Sequence, residues 1–172
     1  GHNLGSRIED LAAILEGVDP SHGARLAFCL DTAHLWGAGH DIATPGGAMA
    51  VLDRFDSLIG LDRLVLVHLN DSRSALGSRN DRHEHLGAGK IGPEGLAAFL
   101  RDPRLAGGTA FMMETPGVDE GYDAVNMRRA RLLYGGAATL PELPPKAFRT
   151  SRRSTRSGIG RVSRPAARGE RA

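Results

Sequence analysis

The run Leu26-Ala27-Phe28-Cys29-Leu30 is apolar at successive positions and leads directly into Asp31. A short apolar run without alternation predicts a strand buried on both faces, as in a parallel sheet. Two later runs of the same kind each end in a side chain that can bind a metal: residues 64–67 before His68, and residues 110–113 before Glu114. The carboxyl ends of neighbouring parallel strands meet at one edge of a sheet, so we expect these side chains to converge.

Segments with helical character alternate with these strands. A helix is predicted to begin at Asn3 or Ser6 and to end near Gly17, with its apolar residues on one face. Further helices are predicted at residues 48–59, 93–100 and 120–134, strands at residues 25–30, 63–68 and 109–114, and loops at residues 37–47 and 70–92. This alternation predicts an α/β fold with a parallel sheet. Three strands cannot close a barrel, so we expect a longer native protein, pairing with another copy, or low stability.

Composition limits the class of protein. The 172 residues include one cysteine, Cys29, so no internal disulfide can form. No apolar run approaches the roughly 18–20 residues that span a bilayer, and no signal-peptide pattern opens the chain. We therefore expect no membrane partner and a cytoplasmic location. The chain begins at Gly1 rather than Met, inside a predicted helix, and we expect an upstream part to be missing.

Charge is distributed unevenly along the chain. The net charge is +2, but residues 136–172 carry nine Lys or Arg and two Asp or Glu, a local net charge of +7. Residues 1–135 therefore carry −5. Proline, serine and arginine without an amphipathic period predict a disordered basic tail at residues 136–172. Such a tail is either simply solvated or attracted to nucleic-acid phosphates, and the sequence leaves both readings open.

Further metal-type side chains lie between the second and third strands. Asp81 and His83 are two residues apart, so in extended backbone both point to the same side and can bind one ion. Asp31 and His34 are three apart across a strand end and could serve two neighbouring ions. With the residues that end the other strands, they supply three carboxylates and three imidazoles, a ligand set typical of zinc or manganese. A single Asp or His at a strand end is usually a cap, but six together favour a metal centre.

Four motifs carry a family resemblance. They are Cys29-Leu30-Asp31-Thr32-Ala33-His34, His68-Leu69-Asn70-Asp71-Ser72, Gly77-Ser78-Arg79-Asn80-Asp81-Arg82-His83-Glu84-His85-Leu86-Gly87 and Glu114-Thr115-Pro116. In order and spacing they resemble the endonuclease IV family, the zinc-dependent apurinic/apyrimidinic endonucleases of DNA base-excision repair. The resemblance covers residues 1–135.

The resemblance implies a fold and a ligand set. The fold is a partial TIM (β/α)8 barrel, about the last three βα units, in residues 1–135. The implied cofactor is Zn²⁺, with three ions in the full-length family. Two ligand groups are present: Asp31, His68 and Glu114 for one ion, and His34, Asp81 and His83 for another. Asp31 and Glu114 would be catalytic through the metal that they bind.

The resemblance also implies a substrate. This is double-stranded DNA with an abasic site, cut 5′ to the site to leave a 3′-hydroxyl, by a protein that is a monomer at full length. Arg79, Arg82 and Arg73 are the expected contacts to DNA phosphates, unless they are only surface charge. The family's bridging Glu and two further His ligands have no counterpart here, so we expect this chain to be weakly active or inactive.

Two other readings fit the same residues. A sugar isomerase or epimerase on the same barrel would also place Glu, Asp and His at strand ends around divalent ions. A non-catalytic remnant would bind zinc or DNA without cutting. Metal content and DNA affinity separate these readings from the endonuclease.

Overall fold

The computed structural model of the protein describes residues 7–23 and 25–145. Its helices and strands in chain order are α1 (Ile8–Gly17), α2 (Pro20–Gly23), β1 (Phe28–Asp31), α3 (Thr32–Ala38), α4 (Pro45–Leu58), β2 (Leu64–His68), β3 (Asp71–Ser72), β4 (His83–Glu84), α5 (Gly92–Arg101), β5 (Ala110–Met112) and α6 (Tyr122–Tyr134). Single 3₁₀ turns occur at Leu61–Arg63, Pro103–Leu105 and Val118–Glu120.

The main sheet contains three parallel strands in the order β1-β2-β5. In its register Asp31 lies beside His68, and His68 lies beside Met112. The predicted alternation of helices with parallel strands is confirmed. Because all three strands run in the same direction, their carboxyl ends lie at one edge, which is where the site is built.

The long helices cover one face of this sheet, with α4 between α1 and α5, and α6 against α5. Leu30 and Val67, neighbours in the register, are buried beneath them. Phe28 of β1 packs edge-to-face on Phe55 of α4, with ring centroids 6.0 Å apart. Phe99 of α5 is fully buried in the same core. Removal of these large apolar side chains from water is the main stabilising contribution to the fold.

Apolar side chains on the sheet remain exposed away from this core. In the described part of the chain these are Cys29, Val65, Ala110 and Met112. Their strand neighbours point the other way: Leu30 and Leu64 are buried in the helical core, and Phe111 is partly buried against it. The three strands therefore bury one side of the sheet more completely than the other.

The connecting segments contain more structure than predicted. Helix α3 starts directly after β1 because the Asp31 side chain accepts a hydrogen bond from the His34 backbone N–H (3.0 Å) and caps the helix. Helix α4 starts at Pro45, within the predicted loop, because Thr44 caps it in the same way. Residues 70–92 are not only a loop, since β3 and β4 pair there as an antiparallel ribbon.

Residues 136–145 follow α6 without forming a helix or strand. Leu140 packs against the core, and the carbonyl oxygens of Pro141 and Pro144 accept hydrogen bonds from Arg129 and Tyr122. These contacts attach the segment to α6. The rest of the predicted disordered tail, residues 146–172, lies outside the described residues. Among the helices that are described, none has the length and apolarity needed to cross a bilayer.

Candidate metal centre

The six predicted ligands lie together at the carboxyl edge of the sheet. Asp31 and His68 are the last residues of β1 and β2, and Glu114 follows β5 by two positions. The other three come from the connecting segments: His34 in the first turn of α3, His83 in β4, and Asp81 in the loop before β4. Two candidate ligands are thus placed by strand register, and the other four by the segments that connect the strands of the sheet or follow them.

Asp31, His68 and Glu114 form the first ligand group, in which each side chain offers an atom within 4.8 Å of the others. His68 Nδ1 lies 3.1 Å from Glu114 Oε2 and 3.5 Å from Asp31 Oδ2. The Asp31 side chain is 7% exposed, whereas that of Glu114 is 50% exposed. The group therefore opens to solvent on the Glu114 side.

His34, Asp81 and His83 form the second ligand group. Asp81 places Oδ2 3.2 Å from His34 Nε2 and Oδ1 2.9 Å from His83 Nε2. His34 Nδ1 lies 3.8 Å from Asp31 Oδ2, the oxygen that also faces His68. Asp31, His34 and His83 likewise have ligand atoms within 4.8 Å of one another. The two groups are therefore one cluster in which Asp31 borders both.

The ring of His83 indicates how a cation would be held. Its Nδ1 lies 2.7 Å from the Glu114 carbonyl oxygen, which can only accept, so in the neutral ring Nδ1 carries the proton and Nε2 keeps a lone pair. Nε2 is buried and has no hydrogen-bond partner among the described residues, although Asp81 Oδ1 lies 2.9 Å away. The close approach is therefore not a hydrogen bond. Two lone-pair atoms at this distance repel each other unless a cation lies between them.

The spacing of the donor atoms fits a small divalent ion. Zinc binds nitrogen and oxygen tetrahedrally at about 2.0–2.2 Å, which places neighbouring ligand atoms about 3.3–3.6 Å apart. Within the two groups the nitrogen–oxygen separations range from 2.9 to 3.5 Å. All donors are imidazole nitrogens or carboxylate oxygens, which suit zinc and manganese. The residues present therefore fit the predicted cofactor.

The electrostatics of the edge also favour a cation. Partial burial opposes a charge on His34, but the carboxylates of Asp31 and Asp81 outweigh it and raise the pKa of His34. Three carboxylates converge on this edge, one of them almost fully buried. Their summed negative potential attracts positive charge into a partly dry site.

The predicted ligand set omits Asn70, which is fully buried between the two strand-end carboxylates. Its Nδ2 donates to Asp31 Oδ2 (2.9 Å) and lies 3.4 Å from Glu114 Oε2. Its Oδ1 accepts from the Glu114 backbone N–H (2.8 Å). The Thr32 hydroxyl in turn accepts from the Asn70 backbone N–H (2.8 Å). Asn70 thus orients two ligands at once, and its place two residues after His68 was the available signal.

Asp71 organises the segment that follows the ribbon. It is fully buried, and its carboxylate accepts from the backbone N–H groups of Gly89, Ile91 and Gly92. Burial raises the pKa of Asp71, although these hydrogen bonds oppose the shift. A side chain at Gly89 would meet the Asp71 carboxylate, with an added Cβ 2.4 Å from Oδ1. Asp71 is therefore a structural acid rather than a ligand.

The predicted DNA-contacting arginines lie in the loop between β3 and β4, residues 73–82, which also carries Asp81 and is called the arginine loop below. Arg79 and Arg82 are exposed, and Arg79 has a left-handed backbone conformation (φ 55°). Arg73 is also exposed, but its guanidinium pairs with Glu84 at 2.8 Å. Backbone hydrogen bonds join this loop to α3, and the Trp36 indole N–H donates to a loop carbonyl at 2.9 Å. The arginines are thus presented next to the second ligand group by an anchored loop.

Comparisons with known proteins identify the family of this chain. The family described as xylose isomerase-like TIM barrel matches residues 1–134. A probable endonuclease 4 of Natronomonas pharaonis is 41% identical over 134 residues, covering 78% of this chain and 46% of the relative. One of Chloroflexus aurantiacus is 44% identical over 138 residues, covering 80% and 47%. The crystal structure of endonuclease IV from Thermus thermophilus superposes with a TM-score of 0.66 at 41% identity, covering 80% and 47%.

These comparisons confirm the resemblance to endonuclease IV and the predicted partial TIM barrel. The chain spans about half the length of the curated relatives that it matches.

Proposed function

We propose that the candidate metal centre of this chain, which belongs to the xylose isomerase-like TIM barrel family, serves zinc-dependent hydrolysis of DNA at abasic sites. The cut would lie 5′ to the abasic site and leave a 3′-hydroxyl. The observation that carries this proposal is the 2.9 Å approach of His83 Nε2 to Asp81 Oδ1 without a hydrogen bond, inside a cluster of six donor side chains. The similarity to proteins named endonuclease 4 supports it.

The side chains would divide their roles between two ions: Asp31, His68 and Glu114 would hold one, and His34, Asp81 and His83 the other. Zinc bound there would supply Lewis acidity, which activates a water and neutralises charge that develops on a phosphodiester. Asn70 holds the carboxylates of Asp31 and Glu114 in place through its amide. The Glu114 carbonyl fixes the tautomer of His83.

The arginine loop would supply the contacts to DNA. Arg79 and Arg82 are exposed beside the second ligand group, and guanidinium groups there can hold the phosphates that flank a lesion. Arg73, which pairs with Glu84 at the start of the arginine loop, would add a further positive charge there. An abasic nucleotide lacks a base to stack or pair, so it can leave the duplex at low cost. The proposal includes a monomeric, cytoplasmic protein whose partner is duplex DNA.

The test begins with metal content. The 172-residue chain is stripped of metal, reloaded with Zn²⁺, and the bound metal is measured by atomic emission. We expect one ion for each ligand group. His83→Ala should lose the ion of the second group, whereas His22→Ala, which removes an exposed histidine of α2, should not. A folded chain that takes up no zinc would contradict the metal centre.

The loaded chain is then incubated with a duplex that carries one synthetic abasic site, with and without a chelator. We expect slow, chelator-sensitive incision on the 5′ side, absent in His83→Ala and retained in His22→Ala. The rate should be low because part of the family's ligand set has no counterpart in these residues. Metal uptake with aldose–ketose isomerisation and no incision would replace this proposal by the sugar isomerase reading. Rapid incision would refute the expectation of weak activity.

A further inference from the structure

Asn126 is a polar residue of α6 that is fully buried and belongs to neither ligand group. Its side-chain amide faces the two segments that follow β4 and β5. Oδ1 accepts from the Leu86 backbone N–H at 3.1 Å. Nδ2 lies 2.9 Å from Thr115 Oγ1, 3.0 Å from His85 Nδ1 and 3.0 Å from the Tyr122 carbonyl oxygen, and these three atoms share its two N–H groups. A single amide therefore joins two loops that are far apart in the chain.

Both loops carry ligands of the metal centre. Thr115 directly follows Glu114, and Leu86 lies three residues after His83. The two loops already touch at one point, where His83 Nδ1 lies 2.7 Å from the Glu114 carbonyl oxygen. Asn126 adds a second attachment on the helix side. Two points of attachment define the relative orientation of two segments, whereas one point leaves them free to pivot.

Other groups of α6 reinforce this attachment. The Arg129 guanidinium is buried and donates to the Leu86 carbonyl oxygen. Leu86 is thus held by α6 through both its N–H and its C=O groups. The His85 ring lies over the Tyr122 ring, with centroids 4.5 Å apart and planes tilted by 30°. The loop after β4 therefore docks on α6 with a defined register.

We propose that Asn126 is a positioning residue, which sets the relative placement of His83 and Glu114 and thereby the affinity and geometry of the metal centre. It touches neither metal nor substrate. This inference rests on the proposed metal centre. Groups that orient metal ligands typically change metal affinity by about 10–100-fold when they are removed. Asn126 is buried and hydrogen-bonds both the segment that carries His83 and the segment that carries Glu114. Its substitution should therefore displace both side chains.

The test compares metal binding in variants of the whole chain. Asn126→Leu keeps the branching at Cγ, with a larger side chain, and removes every hydrogen bond of the amide. Thr115→Val is a milder variant that removes one acceptor. Leu133→Val is the matched control, a truncation of a buried core residue on the same helix. Zn²⁺ affinity is measured by competition with a chelator, Co²⁺ geometry by visible absorption, and stability by urea denaturation.

We expect Asn126→Leu to lower Zn²⁺ affinity by about 10–100-fold and to shift the Co²⁺ absorption. Thr115→Val should move both readouts less, in the same direction. Leu133→Val should lose stability with unchanged affinity and spectrum. Wild-type affinity and spectrum in Asn126→Leu would overturn the inference, and so would an equal loss of affinity in Leu133→Val. No uptake by the wild type would instead overturn the metal centre itself, and this inference with it.

Discussion

Replacing Asn70 by Ala should weaken both the fold and the metal centre, by amounts that follow from its contacts. The variant loses the 2.9 Å hydrogen bond to Asp31 and leaves the Glu114 backbone N–H without its 2.8 Å acceptor. A hydrogen bond to a charged group contributes about 1.5–3 kcal/mol, and an unsatisfied buried donor costs about 1–3 kcal/mol. We therefore expect the free energy of unfolding of the metal-free chain to fall by about 2.5–6 kcal/mol. Zinc affinity should fall by about 10–100-fold, because two ligands lose their orientation.

Urea denaturation in the presence of a chelator measures the first effect, and competition for Zn²⁺ measures the second. Asn80→Ala is the matched control, since Asn80 is an exposed asparagine in the neighbouring loop, and it should change neither quantity. A variant at Asn70 that loses stability but keeps the wild-type zinc affinity would refute the reasoning. Asn70 would then support the backbone without orienting the ligands.

Two further predictions concern the arginine loop and the helical layer. Trp36→Phe removes the indole N–H that donates to the arginine loop. We expect the free energy of unfolding to fall by about 1 kcal/mol and trypsin to cleave residues 73–82 faster. Unchanged cleavage would show that the loop is anchored without the indole. Hydrogen bonds from Arg104 lower the pKa of Asp102 below its ordinary value of 3.8. Because the pKa of Asp102 is depressed in the folded state, the Asp102–Arg104 pair stabilises the fold at pH values above the unfolded-state pKa of 3.8. This contribution is lost as the pH falls through the lower folded-state pKa. Asp102→Asn should therefore flatten the acidic side of a stability-versus-pH curve measured with urea, and an unaltered acidic side would contradict this role.

The strands were predictable because each forms an uninterrupted apolar run, but the burial on both faces that such a run indicates is not seen, since one face stays partly exposed. Residues 64–67 and 110–113 read as strands for that reason, and their observed strands differ only at the ends. Helix α3 was not predicted because it is short and its start depends on the side chain of Asp31, which also reads as a metal ligand. The β3–β4 ribbon was not predicted because strands of two residues have no periodicity to detect.

The candidate site shows the same division between local and tertiary information. The approach of the six candidate side chains was predictable in part: their chemistry is visible in single residues, and the positions of Asp31 and His68 follow from strand ends. The supporting amides were harder to predict, because an asparagine in a sequence is ordinarily a surface residue; only Asn70 offered a signal, its place two residues after His68. Asn70 and Asn126 gain their roles only when distant segments surround them and bury them completely. The sharing of Asp31 between two ligand groups likewise depends on how α3 leaves the sheet.

The different origins of the ligands give bound cations a structural role as well as a chemical one. Strand register places Asp31 beside His68 whether or not a metal is bound, because the sheet is held by its own hydrogen bonds and core. Asp81 lies in a loop that is joined to α3 by a few backbone hydrogen bonds, so its approach to His34 depends on what lies between them. Without a cation the converging carboxylates repel one another, and with one they attract it from both sides. A cation that binds only the ordered arrangement stabilises it by mass action. Metal binding at the proposed centre would therefore be coupled to the order of the arginine loop, which would contact DNA, rather than to the helical core beneath the sheet.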